Sequence, residues 1–397
     1  MTLVLDTEEV VRSLDLKGYI EAMEEAFTEL GNGAAINAPR TETGIPLLKY
    51  GTSTEVSRKA KKLLRDLPLD ADPHQSPIWM RAAKRAEELN YRLKTIPGGY
   101  PKCGIMALKI DSTTDTNPLL NGVKRSVKLP LGSGWRYTGM MLLFDIVSGE
   151  LLAILPLGPL QRNRVAATSA VGIKHLARPD AETLGLFGSG FQAEGQVMAA
   201  SLVRRLRRIK VFSPSAEHRR AFAAKMEKAT GIETLPVDRP PDVCREAAIV
   251  LSATTSLLPV FRFRWLEEGA HLGSINIVEA EAESFTRSDL VVVNARPFSG
   301  GSDLVRDFVM GKKMDTVGSN INKKSKRLNW GSMRELGALL TGKVSGRQKS
   351  GDITFHCNNI GLGIQHAATG SRILANARRL GLGHEIPTDW FLQKEHT

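Results

Sequence analysis

Thr183-Leu184-Gly185-Leu186-Phe187-Gly188-Ser189-Gly190-Phe191-Gln192-Ala193 is the stretch that decides the fold of this 397-residue chain. A short apolar run feeds directly into Gly-x-Gly-x-x-Ala, and a helix-forming segment follows. Gly188 permits the tight turn. Gly190 lets backbone N–H groups approach a pyrophosphate at the positive helix end, and Ala193 allows close helix–strand packing. Three such small residues alone mark only a capped turn. Here a strand precedes, a helix follows and a second strand comes about twenty residues on, as a dinucleotide fingerprint requires. Ser189, Phe191 and Gln192 complete the expected cofactor loop, and Thr254, after a later strand, is expected to border it.

Outward from this turn, apolar runs alternate with amphipathic segments. The pattern predicts strands at 183–187, 209–212, 249–251, 271–275 and 290–293, with helices to about 205 and over 216–229. That alternation implies a parallel, doubly wound sheet. Residues 4–32 read as one helical opening, capped at Asp6 or Thr7 and apolar at Val11, Leu14, Leu16, Ile20, Met23, Phe27 and Leu30. Residues 52–92 are charged, helix-prone and broken by Pro68, Pro73 and Pro77, as an insertion would be. Residues 91–100 line a cleft or form a hairpin edge. Strands follow at 104–110, 138–144 and 151–157, then a helix at 162–176; residues 305–397 return to helices and loops and end in a helix over 362–380. The fold class is therefore α/β. A Rossmann domain covers 156–305, and a second, α+β substrate domain is formed by both chain termini, 1–155 and 306–397, with the active site in the cleft between them.

Composition narrows the function. No run reaches the ~18 uncharged apolar residues of a membrane span, and Met1-Thr2-Leu3-Val4-Leu5-Asp6 turns acidic too soon for a secretory signal. Cys103, Cys244 and Cys357 form no CxxC pair and no disulfide framework, which fits a reducing cytoplasm; each reads as a small buried hydrophobe, and no metal site is expected. A net charge of +12 raises nucleic acid as a partner. The basic runs at 58–62, 204–208 and 323–327 are short, separate and free of interleaved aromatics, so they read as solvated helix ends and loops. A basic surface would still draw in a phosphorylated cofactor or a carboxylate.

The cofactor type is read at the tip of the second strand, where NAD sites usually carry Asp or Glu. This chain has Val211-Phe212-Ser213-Pro214-Ser215-Ala216-Glu217-His218-Arg219-Arg220. Ser213, Ser215 and Arg219 suit a 2′-phosphate, which favours NADP over NAD. Arg219 and Arg220 read equally as solvated helix residues.

Several blocks together are more specific than the glycine turn. They are Gly139-Met140-Met141-Leu142-Leu143-Phe144-Asp145, Arg162-Asn163-Arg164-Val165-Ala166-Ala167, His175-Leu176-Ala177-Arg178, Gly269-Ala270-His271-Leu272 and Gly342-Lys343-Val344-Ser345-Gly346-Arg347. In order and spacing the chain resembles the ornithine cyclodeaminase/mu-crystallin family. The resemblance implies a homodimeric NAD(P) enzyme acting at the α-carbon of a small amino or imino acid. It places Arg40, Lys109 and Arg164 on the substrate carboxylate, with Lys109 also able to relay a proton. The family's aspartate after the Gly-x-His block is missing near Val278, so Glu279 takes that acid/base role or the acid is absent. A family aspartate in the late helix is replaced by His366, which either packs the helix or faces the site; His271 reads as structural. Hydride transfer to an imine needs less proton handling than ring closure with ammonia loss. The expected activity is therefore an imine reductase or amino acid dehydrogenase, with a deaminating cyclase and a non-catalytic NADP-binding protein as alternatives.

Overall fold

Two aspartate caps break the N-terminal segment. A strand β1 (Thr2–Val4) precedes α1 (Thr7–Ser13), where the Asp6 carboxylate accepts from the Glu9 N–H at 2.8 Å and Glu9 returns the bond. The chain then turns at Leu14, and Asp15 caps α2 (Leu16–Gly31) by accepting from the Gly18 N–H. The single helical opening expected from periodicity is thus a strand and two helices. On α2, Tyr19, Ile20, Met23 and Phe27 are buried and anchor the layer beneath. The computed structural model describes residues 1–38, 40–48, 54–66, 83, 88–120, 123–124, 126–129, 137–296, 306–309, 312–315 and 328–393. Pro68, Pro73, Pro77 and the basic run at 323–327 lie outside these residues, so the 52–92 insertion is described chiefly at its first helix, α3 (Thr54–Arg65).

The first sheet runs β2 (Thr41–Pro46), β3 (Asn90–Tyr100), β4 (Ile105–Thr116), β5 (Thr138–Asp145), β6 (Leu151–Pro156) and β1. Residues 91–100 are therefore an interior strand, paired on both sides, and not a hairpin edge. Register sets the later chemistry: Ile96, Lys109 and Met141 share one cross-strand row, and Glu42, Lys94 and Asp111 share another. Paired residues point to the same face of the sheet.

The second sheet is parallel and built from β7 (Thr183–Phe187), β8 (Arg208–Phe212), β9 (Glu233–Pro236), β10 (Ile249–Ser252), β11 (His271–Ser274), β12 (Leu290–Val293) and β13 (Thr354–Cys357). Its order is β9-β8-β7-β10-β11-β13-β12, with a two-residue strand, Arg334–Glu335, on the outer side of β12, so the connections reverse direction between β7 and β10, where α/β sheets open a ligand crevice. β13 corrects the boundary drawn at 305, because a strand from the C-terminal segment is threaded between β11 and β12. Thr-Phe-His-Cys is buried on both faces and only four residues long, so it carries no alternation to read.

Four helices matter for the site: α4 (Gly158–Leu176), α5 (Phe191–Val203), α6 (Ala216–Thr230) and α7 (Gly363–Leu380). One residue of the basic run at 204–208 is not solvated in the expected way. Arg204 donates to the Ile173, Lys174 and Ala177 carbonyls and caps the C-terminus of α4. Among the described residues no helix is long and apolar enough to cross a membrane, and no group of three or more His, Cys, Asp or Glu could hold a metal.

Candidate active site

The glycine turn sits at the C-terminal end of β7, on the reversal point. Gly188 adopts φ +116°, and a Cβ there would stand 2.2 Å from the Ala253 carbonyl oxygen. Gly190 caps α5 without a side-chain hydrogen bond, and nothing lies within 4 Å of the place its Cβ would take. One glycine is required by the protein itself; the other leaves the helix N-terminus open. Open space over free N–H groups at a positive helix end is what a pyrophosphate needs. Ala193 is fully buried against the sheet, Phe191 and Ser189 rim the turn, and the Gln192 Oε1 has no hydrogen-bond partner. The residues present therefore fit a dinucleotide.

The two glycines separate fold from function. Gly188→Ala should cost roughly 3 kcal/mol or more, because it combines backbone strain with a clash against a carbonyl. Gly190→Ala should leave the melting temperature within about 2 °C of wild type while weakening cofactor binding at least ~10-fold. Thermal melting and fluorescence titration with reduced cofactor check both. Equal binding by the Gly190 variant would remove the helix N-terminus from the site.

At the tip of β8 the structure gathers the residues chosen for a 2′-phosphate, already partly engaged. Ser215 caps α6 by accepting from the His218 N–H, and the Ser213 Oγ donates to the Ser215 carbonyl at 3.3 Å. Arg219 is buried. It donates to the Ser213 carbonyl at 3.1 Å, lies 5.8 Å from the Phe212 ring centroid and pairs with Asp238, whose side chain is 83% exposed. Arg219 is thus held at the strand tip and is not a solvated helix residue.

The substrate-side residues Arg40, Lys109 and Arg164 are brought together from three elements. Lys109 projects from β4 and is buried, with its Nζ 3.5 Å from Asp111 Oδ2. Burial pulls its pKa down to about 7; Asp111 opposes this, and Arg164 and Arg40 add to it. Arg164, on α4, is also buried. Burial and then Arg40 lower its pKa to about 10. Its Nη1 donates to Gln365 Oε1 at 3.1 Å, and its Nε has no partner. Arg40 bonds Glu42 at 2.8 Å. Glu42 is itself buried and also meets Arg92 at 2.8 Å and Lys94 at 3.3 Å. Burial alone would raise the Glu42 pKa, but Lys94, Arg40 and Arg92 outweigh it and hold it at about 2. A cluster rich in buried cations, with guanidinium donors unfilled, has the chemistry that suits a carboxylate.

Helix α4 ties this cage to the glycine turn. Two residues before Arg164, the Arg162 guanidinium lies 4.7 Å from the Phe191 ring centroid and 3.7 Å from Glu194, both in the first turn of α5. Gly195 makes that approach possible, since a Cβ there would meet Arg162 and Ala166.

Glu279 has another environment. It is fully buried beside β10, where its Oε1 accepts from the Thr254 N–H at 2.5 Å and its Oε2 from the Ser252 hydroxyl at 3.2 Å. It thereby clamps residues 252–254, the segment whose carbonyl presses on Gly188. Burial raises its pKa to about 7 against the bonds from Thr254 and Ser252. A folded pKa raised above the unfolded one lends stability that is complete below about 4.5 and lost as pH rises through about 7. Relative to wild type, Glu279→Gln should gain of order 3 kcal/mol between about pH 5 and 8, since each tenfold change in proton affinity is worth ~1.4 kcal/mol. Unfolding profiles that stay parallel over this range would refute the buried-acid assignment.

Gln365, Lys94, Asp111 and Glu42 were missed in the sequence. The alternation Arg92-x-Lys94 and Lys109-x-Asp111 was the available signal, two charges on one face of each strand. His271 is structural as expected, 2.9 Å from Thr354 Oγ1. Two surface depressions, of about 440 and 270 Å³, are lined by residues around Asp15 and Arg372 and around Arg178 and Arg347. Neither includes the cage or the glycine turn.

With fold and cage in place, the class is that of an α/β protein with a Rossmann-like domain and a buried cationic cluster beside it. The chain belongs to the ornithine cyclodeaminase/mu-crystallin family, whose model matches residues 132–379. It is 26% identical over 253 residues to a Delta(1)-pyrroline-2-carboxylate reductase of Bacillus cereus, covering 62% of this chain and 74% of that one. It is 25% identical over 247 residues to an iminosuccinate reductase of Paracoccus denitrificans, covering 62% and 72%. In structure it resembles the Thermococcus litoralis Delta(1)-pyrroline-2-carboxylate reductase in complex with NADH and L-proline, with a TM-score of 0.70, 24% identity and coverage of 97% and 100%.

Proposed function

We propose that the chain is an NADP-dependent oxidoreductase that transfers a hydride at the α-carbon of a small amino or imino acid, in the manner of a ketimine reductase or amino acid dehydrogenase. The observation that carries this reading is the Arg40–Lys109–Arg164 cage, with Lys109 and Arg164 buried, joined through α4 to a glycine turn open to a pyrophosphate. When bound, the nicotinamide supplies or accepts the hydride. Arg164 and Arg40 orient the carboxylate, and burial of the cage keeps water from it. Hydride addition at the α-carbon of the protonated imine moves the C=N π pair onto nitrogen, and Lys109 gives the proton that completes the ammonium group; oxidation runs the same transfers in reverse.

The preference for NADP rests on Arg219 at the strand tip, whose exposed carboxylate partner can yield to a phosphate. A homodimer belongs to the same reading, with residues 1–155 and the C-terminal helices forming the substrate and dimerisation domain. A redox-neutral cyclodeaminase would need proton transfer at two nitrogens, and Glu279 already has both oxygens committed.

The deciding experiment follows oxidation of NADPH and NADH with cyclic imines and with α-keto acids plus ammonia or methylamine. Turnover with NADPH preferred is expected. Tight cofactor binding without turnover on any pair would favour a binding protein, and ammonia release with a cyclic product and no net cofactor change would favour the cyclase.

A further inference from the structure

Helix α7 begins where Gly363 packs on the Pro97–Gly98 backbone and continues to Gly370, which packs on Leu143 and Met141. Positions 363, 366 and 370 lie along one helical face. Ile96, Lys109 and Met141 form the sheet row beneath, so His366 is set over the Lys109 row. The imidazole is fully buried, and neither ring nitrogen has a hydrogen-bond partner. A buried polar ring with both nitrogens unfilled is rare in a finished core and expected where a ligand completes the bonding. Arg164 and Lys109 are the charged groups that act on the ring, which places it at the carboxylate cage.

A count of acceptors says what the ring is for. Arginine and a lysine in its ammonium form offer only donors, which suits a carboxylate but leaves the nitrogen of an amino or imino acid without an acceptor while Lys109 holds its proton. Glu42 and Asp111 are ion-paired. Gln365 Oε1 already accepts from Arg164 and the Leu362 N–H, and Asn37 Oδ1 from the Ile364 N–H. His366 keeps an unfilled acceptor. Building on the imine-reductase reading, we propose that His366 receives the substrate's nitrogen, one ring nitrogen accepting a hydrogen bond from its N–H while Arg164 and Lys109 hold the carboxylate. Burial and the nearby Arg164 and Lys109 keep the imidazole uncharged, as an acceptor must be. The ring's own N–H matches the remaining need of such a ligand, a carboxylate oxygen. This assigns substrate-nitrogen recognition to the domain that also binds the carboxylate, and leaves Glu279 to the cofactor loop.

The test uses equilibrium binding to the cofactor-loaded protein with matched pairs: L-proline and cyclopentanecarboxylate, L-alanine and propionate, L-aspartate and succinate. Each second member keeps the carboxylate and lacks the N–H. Wild type should favour at least one amino acid over its partner. His366→Leu should weaken that amino acid about 10-fold, as expected for one lost hydrogen bond to a charged donor, and leave the nitrogen-free acid within about twofold. His366→Gln, which retains an acceptor and fills similar space, should recover much of the preference and guards against simple misfolding. A preference unchanged in His366→Leu, or both ligands weakened equally in both variants, overturns the assignment while leaving the reductase reading intact. Wild-type protein that binds no amino acid and reduces no imine overturns both.

Discussion

Replacing Arg164 by lysine is expected to lower kcat/KM for the preferred imine by about 100-fold or more, with cofactor affinity unchanged within about twofold. The loss has two sources. A guanidinium can hold a carboxylate through two parallel bonds, while an ammonium acts as a point charge and fixes no plane. Lysine at 164 also cannot maintain the bond that Arg164 makes to Gln365, so the start of α7 loses a restraint beside the substrate. Because Arg162, not Arg164, touches the first turn of α5, the nucleotide half should not register the change. Steady-state kinetics with parallel fluorescence titration of the cofactor measure both quantities. A fall in cofactor affinity as large as the fall in kcat/KM would mean that Arg164 maintains the fold instead of binding substrate.

Lys109→Met should cost more, about 1000-fold in kcat/KM, because it removes a carboxylate contact and a proton donor together. The pH profile separates these roles. Burial brings the Lys109 ammonium to about 7, so the free enzyme loses its donor as pH rises above that value. Wild-type kcat/KM for reduction should then fall about tenfold per pH unit on the alkaline side, and the reverse oxidation should instead lose rate below about 7. The methionine variant should be flat across the same range wherever the substrate itself does not titrate. An alkaline limb that survives in Lys109→Met would move the proton donor elsewhere.

Much of the nucleotide half could be read from residues alone, since each of its elements carries a local signal. Gly188 and Gly190 mark a turn with few alternatives, and the strands around them are apolar and evenly spaced. The substrate half was legible only in part. Lys109 and Arg164 could be named from the family blocks, but their meeting depends on a strand register and a helix crossing that no local pattern encodes. Glu279 shows another limit. Its position in the chain left two readings, an acid beside the substrate or no acid there, and the loop carries it under Thr254 and Ser252, where both oxygens accept hydrogen bonds. β3 was hidden because its charges, Arg92 and Lys94, face inward and pair with Glu42 and Asp115, whereas strand patterns are usually recognised by apolar residues facing in.

The threading of β13 between β11 and β12 has a consequence for synthesis. β12 emerges long before its neighbour, and until residues 354–357 have been made both it and β11 present unpaired edges. A nascent chain halted near residue 300 would hold the glycine turn and the first crossover strands, yet lack the strand that joins the sheet's two parts. The parallel sheet therefore closes only once residues 354–357 have been made. Until then the exposed edges are open to mispairing with other chains, the stage at which chaperone protection has most to act on.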